Sequence, residues 1–346
     1  MKIIIASTIV PFIEGGASLM VNWLEQKLLE YGHNVDVVNI PFSSDYRKIL
    51  SQITALRLYH FEDACDRLIC IRMPSYFIKH PNKYLWFIHH YREVYDLWNT
   101  ELGYSPQYVD AASIREYIIR ADTIAFSEAK KIYTNSKNVS KRLINYNNID
   151  SEPLFPPVLK PEQFFCDSYG DYIYYSSRIC YPKRQLLAVQ AMKYTKSDVK
   201  LLITGKPDTP TGYIDEIKKY IQSNFLRNKV TILDKWITED QKVEYFAKCL
   251  AALYIPYDED SYGYASLEAH HSKKAVITCT DSGGTEELIL NGKNGLILEP
   301  DPKILAESFD KLYIDRQLAE KMGNYGFNRV TELGITWDNV IKSFTK

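Results

Sequence analysis

Charged side chains that could bind a diphosphate and sugar hydroxyls lie in two short stretches of the sequence. Arg178 and Lys183 follow the apolar run Tyr172–Ser176 and stand close to the start of a helical segment. The second stretch reads Asp258-Glu259-Asp260-Ser261-Tyr262-Gly263-Tyr264-Ala265-Ser266-Leu267-Glu268. Arginine and lysine suit a diphosphate, which needs cationic partners in a partly dry site. Carboxylates accept hydrogen bonds from hydroxyl groups, so this combination predicts a site for a diphosphate and sugar hydroxyls.

Two glycine-rich turns and a histidine pair stand at the ends of predicted strands. Glu14-Gly15-Gly16-Ala17 follows the first apolar run, and Ser282-Gly283-Gly284-Thr285 follows a later one. Glycine lets backbone amides approach a phosphate, and a helix N-terminus adds a favourable partial charge. His89-His90-Tyr91-Arg92 ends another apolar run. Open parallel sheets bind ligands at the carboxyl ends of their strands, so we expect functional side chains at all three places.

Metal chemistry has little support in the sequence. Asp258-Glu259-Asp260 spells a DxD pattern, and its oxygen ligands would suit Mg²⁺ or Mn²⁺, but a pattern this short is too common to decide the matter. The six cysteines are scattered without CxxC spacing, so neither a zinc site nor a disulfide framework is indicated. We expect no metal and no cofactor, and a reducing cytoplasm fits the cysteine pattern.

Short apolar runs alternate with amphipathic segments over the first part of the chain. Runs that are apolar on both faces are typical of parallel strands buried between helices. The first predicted helix, Ser18–Tyr31, ends before Gly32. The predicted strands of this part are Ile3–Ala6, Val35–Asn39, Leu68–Arg72, Tyr84–His89, Thr123–Phe126 and Lys131–Thr134.

A proline-rich segment, Ser151-Glu152-Pro153-Leu154-Phe155-Pro156-Pro157-Val158, interrupts this alternation and is the predicted domain linker. The pattern then restarts, which favours a second parallel α/β domain. The predicted strands after the linker are Tyr172–Ser176, Lys200–Gly205, Val230–Leu233, Ala251–Pro256 and Ala275–Thr278. The predicted fold class is therefore α/β with two Rossmann-like domains, and the tail from Trp337 has helical spacing.

Length and composition agree with this division. The 346 residues are more than one ordinary core needs, and 46% hydrophobic with 25% charged residues is typical of a globular protein. Lys plus Arg number 42 and Asp plus Glu number 43, so no overall field favours nucleic acid or an anionic bilayer. The apolar start soon meets Pro11 and Glu14, which favours a buried strand over a signal peptide. No stretch has the length of a membrane helix.

The order of these motifs resembles the family 4 glycosyltransferases, which are retaining enzymes of the GT-B fold. Asp260 to Glu268 resembles the family's Glu-x7-Glu signature, and Asn291-Gly292-Lys293-Asn294-Gly295-Leu296 resembles its GxxGxL segment. Thr134-Asn135-Ser136 and Phe155-Pro156-Pro157-Val158 are similar to segments that precede the second domain. The similarity spans nearly the whole chain, and residues 84–98 resemble bacterial members.

The resemblance implies a donor cleft between an N-terminal domain, residues 1–158, and a C-terminal domain, residues 159–331, with residues 332–346 crossing back to the first. It implies that Arg178 and Lys183 hold the donor diphosphate with the amides of Gly15 and Gly16. Glu268 would bind ribose and Asp260 the transferred sugar. His89 would lie near the reacting carbon. The other implied donor-binding residues are Tyr264, Ala265 and Ser266, with His90, Arg92, Glu259 and Gly284 as further candidates.

One departure from the family pattern leaves the first acidic position open. The family usually has Glu where this chain has Asp260, and Glu259 is the alternative. The implied activity is sugar transfer from a nucleotide-sugar donor to a glycan or lipid-linked acceptor, in the cytoplasm or at the inner face of the membrane, in surface polysaccharide or glycolipid assembly. A sugar-nucleotide epimerase and a non-catalytic nucleotide-sugar-binding protein remain alternatives. No nucleic acid partner is expected, while peripheral membrane contact and the oligomeric state stay open.

Overall fold

The chain consists of two compact α/β units. The computed structural model describes residues 1–9, 16–100, 103, 110–208 and 211–346. The N-terminal unit comprises Met1–Pro156 together with Thr336–Lys346, and the C-terminal unit comprises Pro157–Ile335. Gly15 lies outside the described residues.

A six-stranded parallel sheet forms the centre of the N-terminal unit, with strand order β2-β1-β3-β4-β5-β6. Its elements are β1 (Lys2–Ile9), α1 (Gly16–Glu30), β2 (Asn34–Pro41), α2 (Tyr46–Leu56), β3 (Arg67–Cys70), β4 (Lys83–Phe87), α3 (Ala111–Ser127), β5 (Lys131–Thr134), α4 (Lys137–Asn147) and β6 (Glu152–Pro153). Because side chains alternate along a strand, Ile3 and Ile5 pack with α1, whereas Ile4 and Ala6 join the core on the opposite face.

One sequence prediction for this unit was wrong. Thr123–Phe126, predicted as a strand, forms the last turn of α3. Ile118, Asp122, Ala125 and Phe126 are buried at helical spacing, a period that a four-residue apolar run is too short to reveal. Part of the proline-rich linker also pairs with β5 as β6, which is an edge strand, where proline is tolerated.

The C-terminal unit holds a second six-stranded parallel sheet, with order β12-β11-β10-β7-β8-β9. Its elements are β7 (Tyr172–Ser176), α5 (Gln185–Met192), β8 (Lys200–Thr204), α6 (Tyr213–Ser223), β9 (Val230–Leu233), α7 (Glu239–Lys248), β10 (Ala251–Leu253), α8 (Tyr264–His271), β11 (Val276–Cys279), β12 (Gly295–Leu298), α9 (Pro302–Ile314) and α10 (Arg316–Glu332). The two parallel sheets with their helices confirm the predicted fold class of two Rossmann-like domains.

The last helix, α11 (Trp337–Thr345), belongs to the N-terminal unit. Its apolar face, Trp337, Val340, Ile341 and Phe344, packs into the core that α1 also covers. Arg67 holds its end by donating hydrogen bonds to the carbonyl oxygens of Phe344 and Lys346. Within the ranges described above, none of the helices combines the length and the apolar character that a membrane span requires.

Candidate functional site

Three loops meet at the carboxyl edge of the C-terminal sheet. They follow β7, β10 and β11, which are neighbours in the sheet. The Tyr257 amide donates to the Pro182 carbonyl at 2.8 Å, and the Asp258 amide donates to the Asp281 carbonyl at 2.9 Å. These backbone bonds bring the predicted cationic and acidic stretches together at the edge where parallel sheets bind ligands.

Lys183 lies inside this cluster of loops. Its ammonium donates to Tyr254 Oη at 2.8 Å and contacts the Glu259 carboxylate, and Tyr254 Oη donates to the same carboxylate at 3.1 Å. The side chain of Lys183 is only 14% exposed, so its charge is largely shielded from water. Because a lysine ammonium has three N–H donors, one remains for a ligand.

Arg184, which the sequence analysis did not place in the site, ties the loops together. Its backbone is left-handed, with φ of 54°, and its guanidinium forms a two-point ion pair with Asp281 at 2.7 and 2.8 Å. It also donates to the carbonyls of Ile255 and Pro256. Burial disfavours the charged guanidinium, but the hydrogen bonds to Asp281 outweigh this effect and raise the pKa of Arg184. Arg184 therefore fixes the site's shape.

Arg178 stands apart from this cluster. Its guanidinium pairs with Asp208 at 2.9 Å, and its side chain is 49% exposed. It follows β7 at the same edge of the sheet as Lys183. The structure thus places Arg178 at the same edge as Lys183, in an exposed ion pair.

The start of α8 depends on Gly263. Its φ of 71° suits glycine, and an added Cβ would lie 2.2 Å from the Tyr254 ring. The helix begins with Tyr264, Ala265 and Ser266, whose amides stand at the partly positive N-terminus. Ser266 Oγ is buried and has no hydrogen-bond partner among the described residues.

Glu268 is buried on α8 and is paired with Lys242, a residue that the sequence analysis missed. Lys242 Nζ lies 2.7 Å from Glu268 Oε1, and Glu268 is 4% exposed. Burial raises the pKa of the Glu268 carboxyl, and the positive charge of Lys242 opposes part of this rise. Within the described part of the chain, Glu268 Oε2 accepts no hydrogen bond, yet it is not fully enclosed. That oxygen can therefore accept a bond from a ligand hydroxyl.

Gly283 and Gly284 hold the acidic loop in place. The Gly284 amide donates to the Glu259 carbonyl at 2.8 Å, and a Cβ on Gly284 would lie 2.7 Å from the Asp260 carbonyl oxygen. Of the two acidic alternatives, Glu259 contacts Lys183, while Asp260 is half-buried one residue farther along. Across the residues that the structure covers, no three His, Cys, Asp or Glu side chains are grouped as metal ligands would be. Independence from metal stays a prediction.

The remaining candidates lie at the carboxyl edge of the N-terminal sheet. Gly16 is the exposed first residue of α1, at the end nearest β1 in the chain. His89 is half-buried two residues beyond β4, and its Nδ1 lies 2.6 Å from the His90 carbonyl oxygen. Since a carbonyl can only accept, His89 Nδ1 carries the proton and Nε2 of the neutral ring is an acceptor.

His90 is a buried member of a polar network. Its Nε2 lies 2.8 Å from Asn147 Oδ1, and its ring packs against Tyr95 with centroids 4.2 Å apart. Tyr95 Oη donates to the fully buried Asp122 at 2.7 Å. Burial lowers the pKa of His90 to about 4 and raises that of Asp122 to about 7. These contacts indicate a packing role for the His90 ring.

Arg92 begins a short turn after His90, and its side chain is turned toward the protein. Arg92 Nε donates to Asp96 Oδ2 at 2.7 Å, and Arg142 approaches the same oxygen at 3.7 Å. The Asp96 carboxylate therefore contacts two guanidinium groups.

Comparisons with known structures agree with this geometry. Sucrose-phosphate synthase from Thermosynechococcus elongatus superposes with a TM-score of 0.77 at 17% identity, covering 98% of this chain and 96% of that one. Alr3699/HepE from Anabaena, crystallised in complex with UDP, superposes with a TM-score of 0.71 at 14% identity over 99% and 98% of the chains. The likeness runs through both units and shows the two-domain GT-B glycosyltransferase fold.

Residues 161–329, which lie within the C-terminal unit, match the family model of glycosyl transferases group 1. The alpha-1,3/1,6-mannosyltransferase ALG2 of Dictyostelium discoideum is 30% identical over 141 residues, which are 40% of this chain and 33% of the relative. The capsular polysaccharide biosynthesis glycosyltransferase CapM of Staphylococcus aureus is 29% identical over 225 residues, which are 60% of this chain and 56% of the relative. The chain thus spans less than two thirds of the length of these curated relatives.

Proposed function

We propose that this protein is a retaining glycosyltransferase of family 4, which moves a sugar from a nucleoside-diphosphate sugar to a hydroxyl of a glycan or lipid-linked acceptor. We further propose that it acts without a metal at the cytoplasmic face of a bacterial membrane, in surface polysaccharide or glycolipid assembly. The group 1 domain and the similarity to CapM support this assignment. The Anabaena structures, which are complexes with UDP and with UDP-glucose, support a nucleotide-sugar donor.

The proposal rests on two side chains of the C-terminal unit. The Lys183 ammonium is largely shielded from water, and the buried Glu268 carboxylate keeps one oxygen accessible. Lys183 retains one N–H donor for a phosphate oxygen, and Glu268 retains Oε2 for a ribose hydroxyl. A diphosphate and a pentose are adjacent in every nucleoside diphosphate. The two side chains therefore suit the invariant part of such a donor, whichever base and sugar it carries.

The same groups account for catalysis. Departure of the nucleoside diphosphate places negative charge on the leaving oxygen, which Lys183, Arg178 and the amides of the first turn of α8 stabilise more strongly in the transition state than in the ground state. No protein nucleophile is needed. The leaving phosphate takes the proton of the attacking acceptor hydroxyl on the same face of the sugar, so the anomeric configuration is retained.

The test is a panel of UDP-, GDP-, ADP- and dTDP-sugars, screened first for thermal stabilisation with and without Mg²⁺. The stabilising donor is then incubated with acceptor candidates, and nucleotide release and product anomericity are determined. We expect transfer with retention and only slow hydrolysis. An inverted product would contradict the mechanism.

Two other results would replace the proposal. Release of a free, altered sugar without any acceptor would indicate an epimerase. Donor binding without nucleotide release, under every acceptor condition, would indicate a binding protein.

A further inference from the structure

Arg72 is a cation at the carboxyl edge of the N-terminal sheet, and its side chain has no partner among the described residues. It stands two residues beyond β3, and the preceding Ile71 amide still donates to the Ala6 carbonyl of β1 at 3.1 Å. The side chain is half-buried, and burial lowers the pKa of Arg72 with no carboxylate to oppose it. Its guanidinium makes no hydrogen bond or ion pair within the described ranges.

This isolation sets Arg72 apart from other shielded arginines of the same unit. A desolvated guanidinium without a partner is costly, which explains why such groups are normally paired with a carboxylate or a carbonyl. The partners found for other arginines of the unit are Glu128 for Arg57, the carbonyls of Phe344 and Lys346 for Arg67, Asp96 for Arg92 and Arg142, and the Val94 carbonyl for Arg115.

Two neutral side chains at the same edge also have a buried polar atom without a hydrogen-bond partner among the described residues. Ser7 near the end of β1 is 1% exposed and Asn135 just after β5 is 7% exposed, yet Ser7 Oγ and Asn135 Oδ1 have no hydrogen-bond partner among the residues described. Buried polar atoms are nearly always satisfied, so a ligand or an ordered water can complete the bonding at such a place. Strands β1, β3, β4 and β5 are consecutive in the sheet, so Arg72 stands between these two groups in strand order.

The segments that follow β2 and β4 contact each other at this edge of the sheet. Tyr91, which follows β4, donates from Oη to the Ser44 carbonyl at 2.9 Å, and its ring meets Phe42 edge-on with centroids 5.8 Å apart. Phe42 and Ser44 follow β2. In the order β2-β1-β3-β4, this contact joins the segments that follow β2 and β4, the strands on either side of β1 and β3, and Arg72 follows β3.

We propose that Arg72 binds a phosphate or diphosphate carried by the acceptor, with Ser7 and Asn135 as neutral hydrogen-bonding groups. The inference rests on the proposed function, in which the donor's diphosphate is held by Lys183 and Arg178 of the C-terminal unit. A second anion site in the N-terminal unit then serves the other substrate. A guanidinium pairs well with phosphate oxygens, and the same chemistry fits a lipid-linked diphosphate or a water-soluble sugar phosphate.

The experiment measures binding of two probes, geranyl diphosphate and glucose 1-phosphate, while a nucleoside diphosphate saturates the donor site. The proteins are the wild type, Arg72→Met, Arg72→Lys and the control Arg120→Met, which removes an exposed arginine of the same unit. We expect Arg72→Met to weaken the better probe by about tenfold or more and Arg72→Lys to weaken it less. The control should bind as the wild type does. Preference for geranyl diphosphate indicates a lipid-linked acceptor, and preference for glucose 1-phosphate a soluble one.

Three results would overturn this site. They are unchanged probe binding in Arg72→Met, no binding of either probe to the wild type, or an equal loss of nucleoside diphosphate binding in Arg72→Met, which would assign Arg72 to the donor. Equal melting temperatures of the variants show that they are folded. Failure of the proposed function is seen separately, because the wild type would then neither bind nor turn over any nucleotide sugar.

Discussion

Lys242 Nζ of α7 lies 2.7 Å from Glu268 Oε1 of α8, and this ion pair holds in place a carboxylate that is 4% exposed. Removing one partner of a buried ion pair leaves the other charge uncompensated. We therefore predict that Lys242→Met lowers the free energy of unfolding by ~3 kcal/mol. The measurement is the unfolding transition of the C-terminal unit in urea.

The double variant Lys242→Met/Glu268→Leu removes both charges and should recover most of that loss. Equal stability of the single variant and the wild type would show that Glu268 does not need Lys242.

Lys183 should matter for turnover more than for folding. Lys183→Ala removes a positioned charge that faces the departing diphosphate, so we predict a rise in the activation barrier of roughly 2–4 kcal/mol, measured as kcat with the identified donor. The matched control is Lys200→Ala, which removes a lysine from an exposed ion pair with Asp171 in the same unit. Near-normal turnover of the Lys183 variant would remove this residue from the site.

Gly263 and Gly212 both precede a helix with positive φ, but they differ in ψ, 136° against −4°, and in the space around them. Both have positive φ, 71° and 69°, but an added Cβ at Gly263 would meet the Tyr254 ring at 2.2 Å, whereas no atom of the described residues lies within 4 Å of one at Gly212. Gly212→Ala should cost about 1–2 kcal/mol of stability from backbone strain alone. We predict a larger loss for Gly263→Ala, together with weaker donor binding. Equal losses in chemical denaturation would contradict the packing described at the start of α8.

His90 gives a prediction about pH. Burial lowers its pKa to about 4, so the folded protein keeps the ring neutral while the unfolded chain takes up a proton below about pH 6.5. Between these values the unfolded state binds more protons, and His90 therefore reduces stability as the pH falls from 6.5 toward 4. NMR titration of ring resonances, assigned with His90→Gln, should show no protonation of His90 above pH 5. A midpoint near 6.5 would contradict its burial.

Much of the fold could be predicted from apolar runs because buried parallel strands are apolar on both faces. The runs at Tyr172–Ser176 and Val230–Leu233 coincide with β7 and β9. Thr123–Phe126 was misassigned because its burial follows the helical period of the whole of α3. Strand β12, Gly295–Leu298, was not predicted, since its glycine start resembled only a loop motif.

Site residues beside strand ends could be predicted from the sequence. Contacts between residues that are far apart in the sequence could not. Lys183 and Glu259 are each readable as charges near a helix start, but their contact spans 76 residues of sequence. Lys242 lies in the middle of an amphipathic helix, where a lysine is ordinarily solvated. Arg72 was read as the last residue of a strand, and only its lack of partners in the folded chain distinguishes it.

Calorimetric binding of the identified nucleoside diphosphate and its 2′,3′-dideoxy analogue to the wild type and to Lys242→Met/Glu268→Leu tests the donor assignment most directly. If Glu268 accepts hydrogen bonds from the ribose, the wild type will prefer the ribonucleotide by about tenfold, and the folded variant will bind both alike. An undiminished preference in that variant would contradict the assignment of the ribose to Glu268.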